Sequence, residues 1–244
     1  MLGEFCAQEE EDFILATKMM PFPWRIWKGS LKYALKNSLR RLQVAQVHIY
    51  QMHWPLPPVK VETWMNRMAD MVEEGLVRGV GVSNYNLEQT IASNETLKKR
   101  GLKLASNQLE YHLLERRIEK NGLMEYCSAE GIKIIAYSPM AMGVLTGKYT
   151  PDNPPKGTRA AQYNRDYLLK IQPLLKAMIR IGNDTDGKSA SQVALNWCIQ
   201  KGTIPIPGVK NAKQATQNMG ALGWDLKLED VALLDELSFE VTKN

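Results

Sequence analysis

The chain has 244 residues, of which 44% are hydrophobic and 23% are charged, so it is long enough to bury a sizeable core. Its formal charge is +5, but the basic residues are dispersed and the longest basic run is residues 98–100, which excludes the basic stripe of a nucleic-acid-binding protein. No stretch approaches the roughly 20 apolar residues of a membrane span, so neither nucleic acid nor a membrane is expected as a partner.

The cysteines and the first residues predict the compartment. Cys6, Cys127 and Cys198 are odd in number, far apart and outside any CxxC or CxxH spacing, which predicts reduced thiols, no disulfide and no metal site. Cys127 and Cys198 fall in helical patterns and are predicted to be small core residues. Residues 1–13 are acidic, unlike a signal or transit peptide, so the chain as written is expected in the cytoplasm.

In chain order, the sequence alternates short apolar runs with helical patterns. The helical spacing is clear at 30–42, where four leucines share one face, and at 189–201, where Ser189 and Gln192 have the spacing of a capping box. The predicted order is strand 13–16, helix 30–42, strand 47–50, helix 62–74, strand 77–82, helix 87–99, strand 105–109, helix 118–130, strand 133–136, a long loop with a helix ending near 182, helix 189–201, strand 203–206, and helices 212–222 and 228–237.

This alternation of strands and helices predicts parallel strands joined by helical crossovers, in either an open doubly wound sheet or a closed (β/α) barrel. An open dinucleotide-binding sheet is expected to carry Gly-x-Gly-x-x-Gly after its first strand, and the sequence has no such motif there. The glycine-rich segment 143–148 is one residue too short for a phosphate-binding P-loop and continues with Tyr149. These absences favour the barrel.

Polar residues follow the end of each predicted strand. In chain order they are Lys18; His53; Ser83 and Asn84; Asn107 and Gln108; Tyr137 and Ser138; and Pro207, Gly208 and Lys210. A single Lys or Asn at a strand end is usually solvated or caps a helix. In a barrel, however, the loops after the strand C-termini build the active site, so all of these sets would converge on one mouth.

Seven short segments, in chain order, carry a family resemblance. They are AlaThrLys (16–18), MetHisTrpPro (52–55), GlyValGlyValSerAsnTyr (79–85), SerAsnGlnLeuGluTyr (106–111), AlaTyrSerPro (136–139), GlyValLeuThrGlyLysTyr (143–149) and IleProIleProGlyValLysAsn (204–211). Together they resemble the aldo-keto reductase family, in its plant and bacterial NADP-dependent branch, over essentially the whole chain. The resemblance implies a (β/α)8 TIM barrel that binds NADPH and reduces a small aldehyde or ketone to an alcohol by hydride transfer.

The catalytic residues of that family are an Asp, a Tyr, a Lys and a His, and Lys18 and His53 match the last two. Hydride transfer to a carbonyl leaves an oxygen that needs a proton, and a phenol with a pKa of about 10 is a slow donor at neutral pH. An adjacent ammonium lowers the pKa of the phenol, and a carboxylate holds the ammonium in place. A neutral imidazole helps to orient the carbonyl.

The resemblance also implies the residues that bind NADPH. Those for the nicotinamide are Ser83, Asn84 and Gln108 at the carboxamide and Tyr137 as the stacking platform. Those for the pyrophosphate are Ser138, Met140, Gly143, Leu145 and Lys148, and those for the adenosine and its 2′-phosphate are Gly208, Lys210, Asn211, Gln214, Gln217 and Asn218. Because Gln214 stands where many members carry an arginine, Lys210 is the expected partner of the 2′-phosphate.

The Asp and the Tyr of the catalytic set have no match. Residues 1–17 contain no tyrosine, and Asp12 lies in an acidic run ahead of the first strand. The resemblance therefore implies one N-terminally truncated barrel domain, residues 1–244, that lacks the first two strands and retains about six of eight strand–helix units. Open sheet edges would then favour association of the chain through them, and a missing N-terminal segment with a transit peptide would imply a plastid location.

Three functions are compatible with these features. The first is NADPH-dependent reduction of an aldehyde or ketone. The second is a non-catalytic protein that binds NADP(H) or a partner and has no proton donor. The third, a barrel of another chemistry such as a phosphate-handling isomerase, would require all of the matching segments to be coincidental.

Overall fold

The computed structural model describes residues 3–5 and 13–243, so Cys6 and Asp12 lie outside the described residues. The strands are β1 (Ala16–Met19), β2 (Val47–Met52), β3 (Val77–Ser83), β4 (Leu104–Glu110), β5 (Lys133–Tyr137) and β6 (Ile204–Ile206). From β2 onward each predicted strand agrees with the observed one to within two residues at either end.

The predicted strand at 13–16 is wrong, because β1 begins only at Ala16. The backbone N–H of Leu15 donates to Nδ1 of His48 at 3.1 Å instead of to a strand carbonyl. The parallel ladder with β2 therefore starts at Ala16, opposite Ile49, and it includes Lys18.

Helices follow the strands as the alternation predicts. They are α1 (Ser30–Leu42), α2 (Val61–Glu73), α3 (Leu87–Lys98), α4 (Arg117–Lys120), α5 (Leu123–Glu130), α6 (Thr158–Gln162), α7 (Arg165–Lys170), α8 (Gln172–Asp184), α9 (Ala190–Gln200), α10 (Ala212–Met219) and α11 (Leu228–Thr242). The single helix predicted at 118–130 is wrong: Gly122, with φ +78°, separates α4 from α5. The predicted capping box is confirmed, since the side chains of Ser189 and Gln192 each accept the other's backbone N–H at the start of α9.

The chain forms two compact units, one from residues 1–109 and 119–134 and the other from residues 110–118 and 135–244. In the first unit, β1 to β4 pair in parallel in chain order. In the second unit, residues 135–137 of β5 pair in parallel with β6. The single barrel domain expected from the sequence stays a prediction.

Each unit has its own apolar core. In the first, α1 buries Leu31 and Leu35 and α2 buries Trp64, all at most 1% exposed. In the second, Trp197 stacks on Tyr111 at a centroid distance of 5.2 Å.

Several expectations from the composition also concern the described residues. Cys127 and Cys198 are free and buried, as predicted, and burial raises the pKa of the Cys127 thiol to about 12. No described helix is both long and apolar enough to cross a membrane. Within the same residues, no three His, Cys, Asp or Glu side chains are grouped to hold a metal ion.

Candidate active site

Lys18 lies on β1 in the first unit, with its ammonium directed at β4. Its Nζ donates to Oε1 of Gln108 at 2.9 Å. Burial lowers the pKa of the Lys18 ammonium below its ordinary value. No described carboxylate forms an ion pair with it, so its only hydrogen-bond partner among the described side chains is a neutral amide.

His53 directly follows β2 and is held by backbone contacts on both sides. Its N–H donates to the carbonyl of Met19 at 3.0 Å, and its own carbonyl accepts from Nδ2 of Asn84 at 3.2 Å. Burial, and then the positive charge of Lys18, lower the pKa of the His53 imidazole. The imidazole is therefore neutral at pH 7, the form that can donate one hydrogen bond to a carbonyl oxygen.

Ser83, Asn84 and Gln108 form a hydrogen-bonded set at the ends of β3 and β4. The hydroxyl of Ser83 donates to the carbonyl of Gln108 at 2.9 Å, and the backbone N–H of Asn84 donates to the same oxygen at 3.0 Å. Nδ2 of Asn84 also donates to Oγ of Ser83 at 3.1 Å. Asn84 has φ +62°, a left-handed conformation that is uncommon outside glycine and that often marks functional positions.

The structure thus links five residues that the sequence placed at four different strand ends. Hydrogen bonds connect Lys18 to Gln108, Gln108 to Ser83 and Asn84, and Asn84 to His53. Asn107, the other polar residue at the end of β4, does not belong to this set. Its Nδ2 donates to the carbonyl of Tyr85 and to Oγ1 of Thr90, and this ties β4 to the start of α3.

A polar layer next to this set was missed from the sequence. Nε2 of Gln51 on β2 donates to Oγ of Ser106 on β4 at 3.3 Å, and both side chains are buried. They meet across Gly81 of β3, where a Cβ would lie 2.6 Å from Oγ of Ser106 and 2.9 Å from Cγ of Gln51. The available signal was the glycine within a predicted strand, because such a residue often marks a close approach of neighbouring groups.

In the second unit, the loop after β5 has an unusual backbone. Ser138, Ala141 and Met142 have φ between +49° and +52°, and Gly143 has φ +93°. The N–H groups of Ala141 and Gly143 donate to the carbonyls of Ser138 and Met140, so this concave turn, here called the nest, keeps its shape through internal hydrogen bonds. Three of these residues are not glycine, and each such position costs about 1–3 kcal/mol, which indicates a functional loop.

Lys148 brings a positive charge to this loop. A Cβ built on Gly143 would lie 2.8 Å from Nζ of Lys148, so the ammonium rests directly against the nest. The carbonyl of Met140 accepts the N–H groups of Gly143 and Leu145, and the Leu145 side chain is fully buried. Leu145 therefore shapes the loop from its core side.

Tyr137, at the end of β5 and ahead of this loop, is partly buried. Burial, and then the charge of Glu110, raise the pKa of the Tyr137 phenol. A neutral ring of this kind offers an apolar face and is a poor proton donor at neutral pH.

The segment after β6 leads to the N-terminus of α10. Oδ1 of Asn211 accepts the N–H of Gln214 at 3.0 Å, and Oε1 of Gln214 accepts the N–H of Lys210 at 2.8 Å. Gln214 is thus occupied in capping its own helix, while Gly208 and Lys210 are exposed. The carbonyl of Gln217 accepts from Nε2 of Gln192, and Nδ2 of Asn218 is buried with no hydrogen-bond partner in the described part of the chain.

Comparisons with known proteins agree on one family. Residues 1–238 match the sequence profile of the Aldo/keto reductase family. The chain is 38% identical over 253 residues to the chloroplastic pyridoxal reductase of Arabidopsis thaliana, covering 100% of this chain and 69% of the relative. It is 30% identical over 252 residues to an L-glyceraldehyde 3-phosphate reductase of Escherichia coli O157:H7, covering 97% of this chain and 72% of the relative.

A solved structure gives the same result for the fold. The chain resembles a crystal structure of an aldo/keto reductase from Klebsiella pneumoniae in complex with NADP and acetate, with a TM-score of 0.76 and 28% identity, covering 97% of this chain and 74% of that one. The predicted fold class is confirmed: the chain is an α/β protein of the (β/α)8 barrel type, and its described residues supply six strands of that pattern.

Proposed function

The chain belongs to the aldo-keto reductase family of oxidoreductases, and we propose that it reduces an aldehyde or ketone to an alcohol with NADPH. The observation that carries this proposal is the hydrogen-bonded set that joins Lys18, His53, Ser83, Asn84 and Gln108 in the first unit. A charged donor, a neutral imidazole and amide groups are together at the ends of adjacent parallel strands, where barrel enzymes carry their chemistry.

Two residues act on the carbonyl substrate. His53, kept neutral by burial and by the charge of Lys18, donates a hydrogen bond to the carbonyl oxygen and orients it. The Lys18 ammonium stabilises the negative charge that develops on that oxygen and favours its protonation. The role of His53 requires a neutral imidazole, because a protonated one would repel the Lys18 ammonium, and the pKa of His53 is lowered accordingly.

NADPH supplies the hydride when it is bound, and each unit by itself carries residues that are proposed to bind a part of it. In the first unit, Ser83, Asn84 and Gln108 present the polar groups for the carboxamide. In the second unit, the Lys148 ammonium beside the turn at 141–143 is proposed for the pyrophosphate, and Asn218 of α10 is proposed for the adenosine. The remaining residues proposed to bind the cofactor are Tyr137, Ser138, Met140, Leu145, Gly208, Lys210, Asn211, Gln214 and Gln217.

Of the parts of the cofactor, the 2′-phosphate has the fewest proposed binding residues. Gln214 caps α10 through its own side chain, so its amide is not directed at a phosphate. Exposed Lys210 is the cation proposed for that role. The preference for NADPH over NADH therefore depends on a single flexible ammonium.

A second function, binding of NADP(H) without catalysis, is favoured by one specific observation. The Lys18 ammonium is paired with a neutral amide and with no described carboxylate. Quenching of tryptophan fluorescence by NADPH tests binding, and oxidation of NADPH by an activated aromatic aldehyde tests turnover. Binding with turnover supports the reductase, binding alone supports the second function, and the lack of both contradicts each of them.

The substrate is proposed from the relatives. The relatives are named for reduction of pyridoxal and of L-glyceraldehyde 3-phosphate, so these two aldehydes are the first substrates to test on this chain. A higher kcat/KM for either one over the activated aromatic aldehyde would identify the class. Equal values would show that the pocket does not select between them.

We also propose association through open strand edges. Among the described strands, β1 pairs with β2 alone and β6 with β5 alone, and Ile204 and Ile206 of β6 are 49% and 43% exposed. Light scattering at rising protein concentration is expected to show self-association. A monodisperse monomer that melts cooperatively would contradict it.

A plastid location is proposed for the protein on the strength of its relative's chloroplastic name. Localisation of the endogenous protein by antibody labelling tests it. Labelling confined to the cytoplasm would overturn it.

A further inference from the structure

The first unit contains a cleft of about 290 Å³ between β1, α1 and the turn at Pro23–Arg25, here called the basic cleft. Three cationic side chains and three aromatic side chains line it: Lys18, Arg25 and Arg41, and Trp24, Trp27 and Tyr33. Within residues 3–5 and 13–243, no Asp or Glu lines it. We propose that the basic cleft binds an organic anion that combines a planar ring with a phosphate or carboxylate group.

The positive charge of the basic cleft is not neutralised by the described residues. None of Lys18, Arg25 and Arg41 forms an ion pair with a described carboxylate; Arg25 lies 5.5 Å from the ring of Phe22, and Arg41 donates to Oγ of Ser38 at 3.3 Å. Guanidinium groups present a planar fork that matches phosphate and carboxylate oxygens. Two uncompensated guanidiniums beside one cleft therefore favour an anionic ligand.

A buried phenol lies within reach of both arginine charges. Tyr50 of β2 is fully buried, and its hydroxyl has no hydrogen-bond partner among the described residues. Burial raises the pKa of Tyr50, while the charges of Arg25 and Arg41 both oppose that rise. The two guanidiniums thus contribute to one positive potential in this part of the first unit.

The aromatic side chains of the cleft present open ring faces. Trp24 stacks on Phe22 with a centroid distance of 4.8 Å and an interplanar angle of 9°. Trp27 lies over Gly29, where an added Cβ would collide with the indole ring. Trp24, Trp27 and Tyr33 are 69%, 55% and 65% exposed, so a planar ligand can reach and stack on them.

The backbone that carries these residues is held from two sides. The hydroxyl of Ser30 donates to the carbonyl of Arg25, and Nη1 of Arg67 donates to the carbonyl of Ile26 at 3.2 Å. Arg67 in turn lies 4.9 Å from the ring of the buried Trp64. The turn is therefore anchored to α1 and α2 and is not a free loop.

The basic cleft borders the candidate active site at Lys18, which belongs to both, while its other lining residues lie between positions 19 and 41, outside the polar set. Successive side chains of a strand point to opposite faces, and the Lys18 ammonium points to Gln108 on one face, while Met19 lines the cleft with α1 on the other. Its volume is near the lower end of ligand pockets, which begins at about 300 Å³, and suits one substituted ring.

Isothermal titration calorimetry of the whole chain with phenyl phosphate tests the proposal, with phenol and inorganic phosphate as the partial ligands. We expect one site per chain, binding that weakens with salt, and affinity at least tenfold above that of either partial ligand. The double variant R25Q/R41Q is expected to bind phenyl phosphate with an affinity at least tenfold lower. The matched control Arg40→Gln removes an exposed cation of α1 that does not line the cleft and should leave the affinity unchanged.

Gly29→Ala separates stacking from charge, because it displaces Trp27 and keeps every cation. It is expected to reduce the preference for phenyl phosphate over inorganic phosphate. Far-UV circular dichroism and NADPH quenching verify that each variant is folded, and since the readout is ligand binding, lack of NADPH turnover would leave this result unaffected. Equal binding of phenol and phenyl phosphate, or an affinity that R25Q/R41Q does not change, would overturn the proposal, as would closure of the cleft by a second copy of the chain.

Discussion

In the first unit the candidate residues are fixed by side-chain hydrogen bonds, whereas in the second they depend on backbone conformation. Lys18 is held by Gln108, and Asn84 by Ser83 and His53. The loop after β5 instead concentrates positive φ values at 138 and 141–143. The set in the first unit can therefore be disrupted by a substitution that removes one side-chain functional group. The loop in the second unit is instead disrupted by a residue that does not tolerate a positive φ.

The largest effect is expected in the first unit, from Lys18→Met. Loss of the ammonium removes the charge that stabilises the developing oxyanion, so kcat should fall by about 10²–10⁴-fold. The Kd for NADPH, measured by quenching of tryptophan fluorescence, should stay within about threefold of the parent value, which is a change in binding free energy smaller than about 1 kcal/mol. Lys36→Met, an exposed lysine of α1, is the control, and an unchanged kcat in Lys18→Met would remove Lys18 from the catalytic role.

In the second unit, Gly143→Ala tests the role of backbone conformation. A side chain at φ +93° costs about 1–3 kcal/mol, and the nest can relieve that cost only by changing shape, so the Kd for NADPH should rise roughly 10–100-fold. Gly187→Ala is the matched control, because φ is +71° there and a Cβ would meet no atom within 4 Å. If both variants raise the Kd for NADPH equally, the effect comes from general destabilisation of the chain and not from the nest.

A smaller effect is expected from Gln214→Arg at α10. The substitution removes the side chain that accepts the Lys210 N–H, and it adds a second cation beside Lys210. The ratio of NADPH to NADH affinity should rise about tenfold, which corresponds to one charge-assisted hydrogen bond. Lys213→Gln is the neighbouring control, and a ratio that does not rise would place the 2′-phosphate elsewhere.

The smallest effect concerns the pH dependence of His53. Burial and the Lys18 charge lower the pKa of its imidazole, so the neutral form persists below about pH 6.5, the ordinary midpoint. Activity that needs the neutral form is retained above the lowered pKa and is lost as the pH falls through it. An NMR titration of His53 should give a pKa that rises in Lys18→Met, and a pKa that does not move would show that the two groups are uncoupled.

Residue types at strand ends were enough to predict that Lys18, His53, Ser83 and Asn84 lie close together, since parallel strands bring these positions to one edge. The partner of Lys18 could not be predicted in this way, because Gln108 is 90 residues away and many polar groups compete for an ammonium. The start of β1 was misplaced because a histidine side chain takes the N–H of Leu15, a contact that periodicity does not encode.

The loop after β5 and the basic cleft show a second limit. Gly143 signals an unusual backbone in the sequence, but Ala141 and Met142 adopt positive φ without being glycines, so their strain is visible only in the structure. Arg25 and Arg41 are far apart in sequence and line one cleft only through the packing of α1 on β1. Local propensity predicts neither of these arrangements.

Transfer of deuterium from labelled NADPH tests the reductase function most directly. NADPH carrying deuterium at both positions of nicotinamide C4 is incubated with the chain and an aromatic aldehyde, and the alcohol is analysed by mass spectrometry. The first unit's polar set predicts one deuterium on the former carbonyl carbon, and loss of that label in Lys18→Met. Saturable quenching of tryptophan fluorescence by NADPH, without formation of deuterium-labelled alcohol, would contradict the reductase function. The chain would then be a cofactor-binding protein.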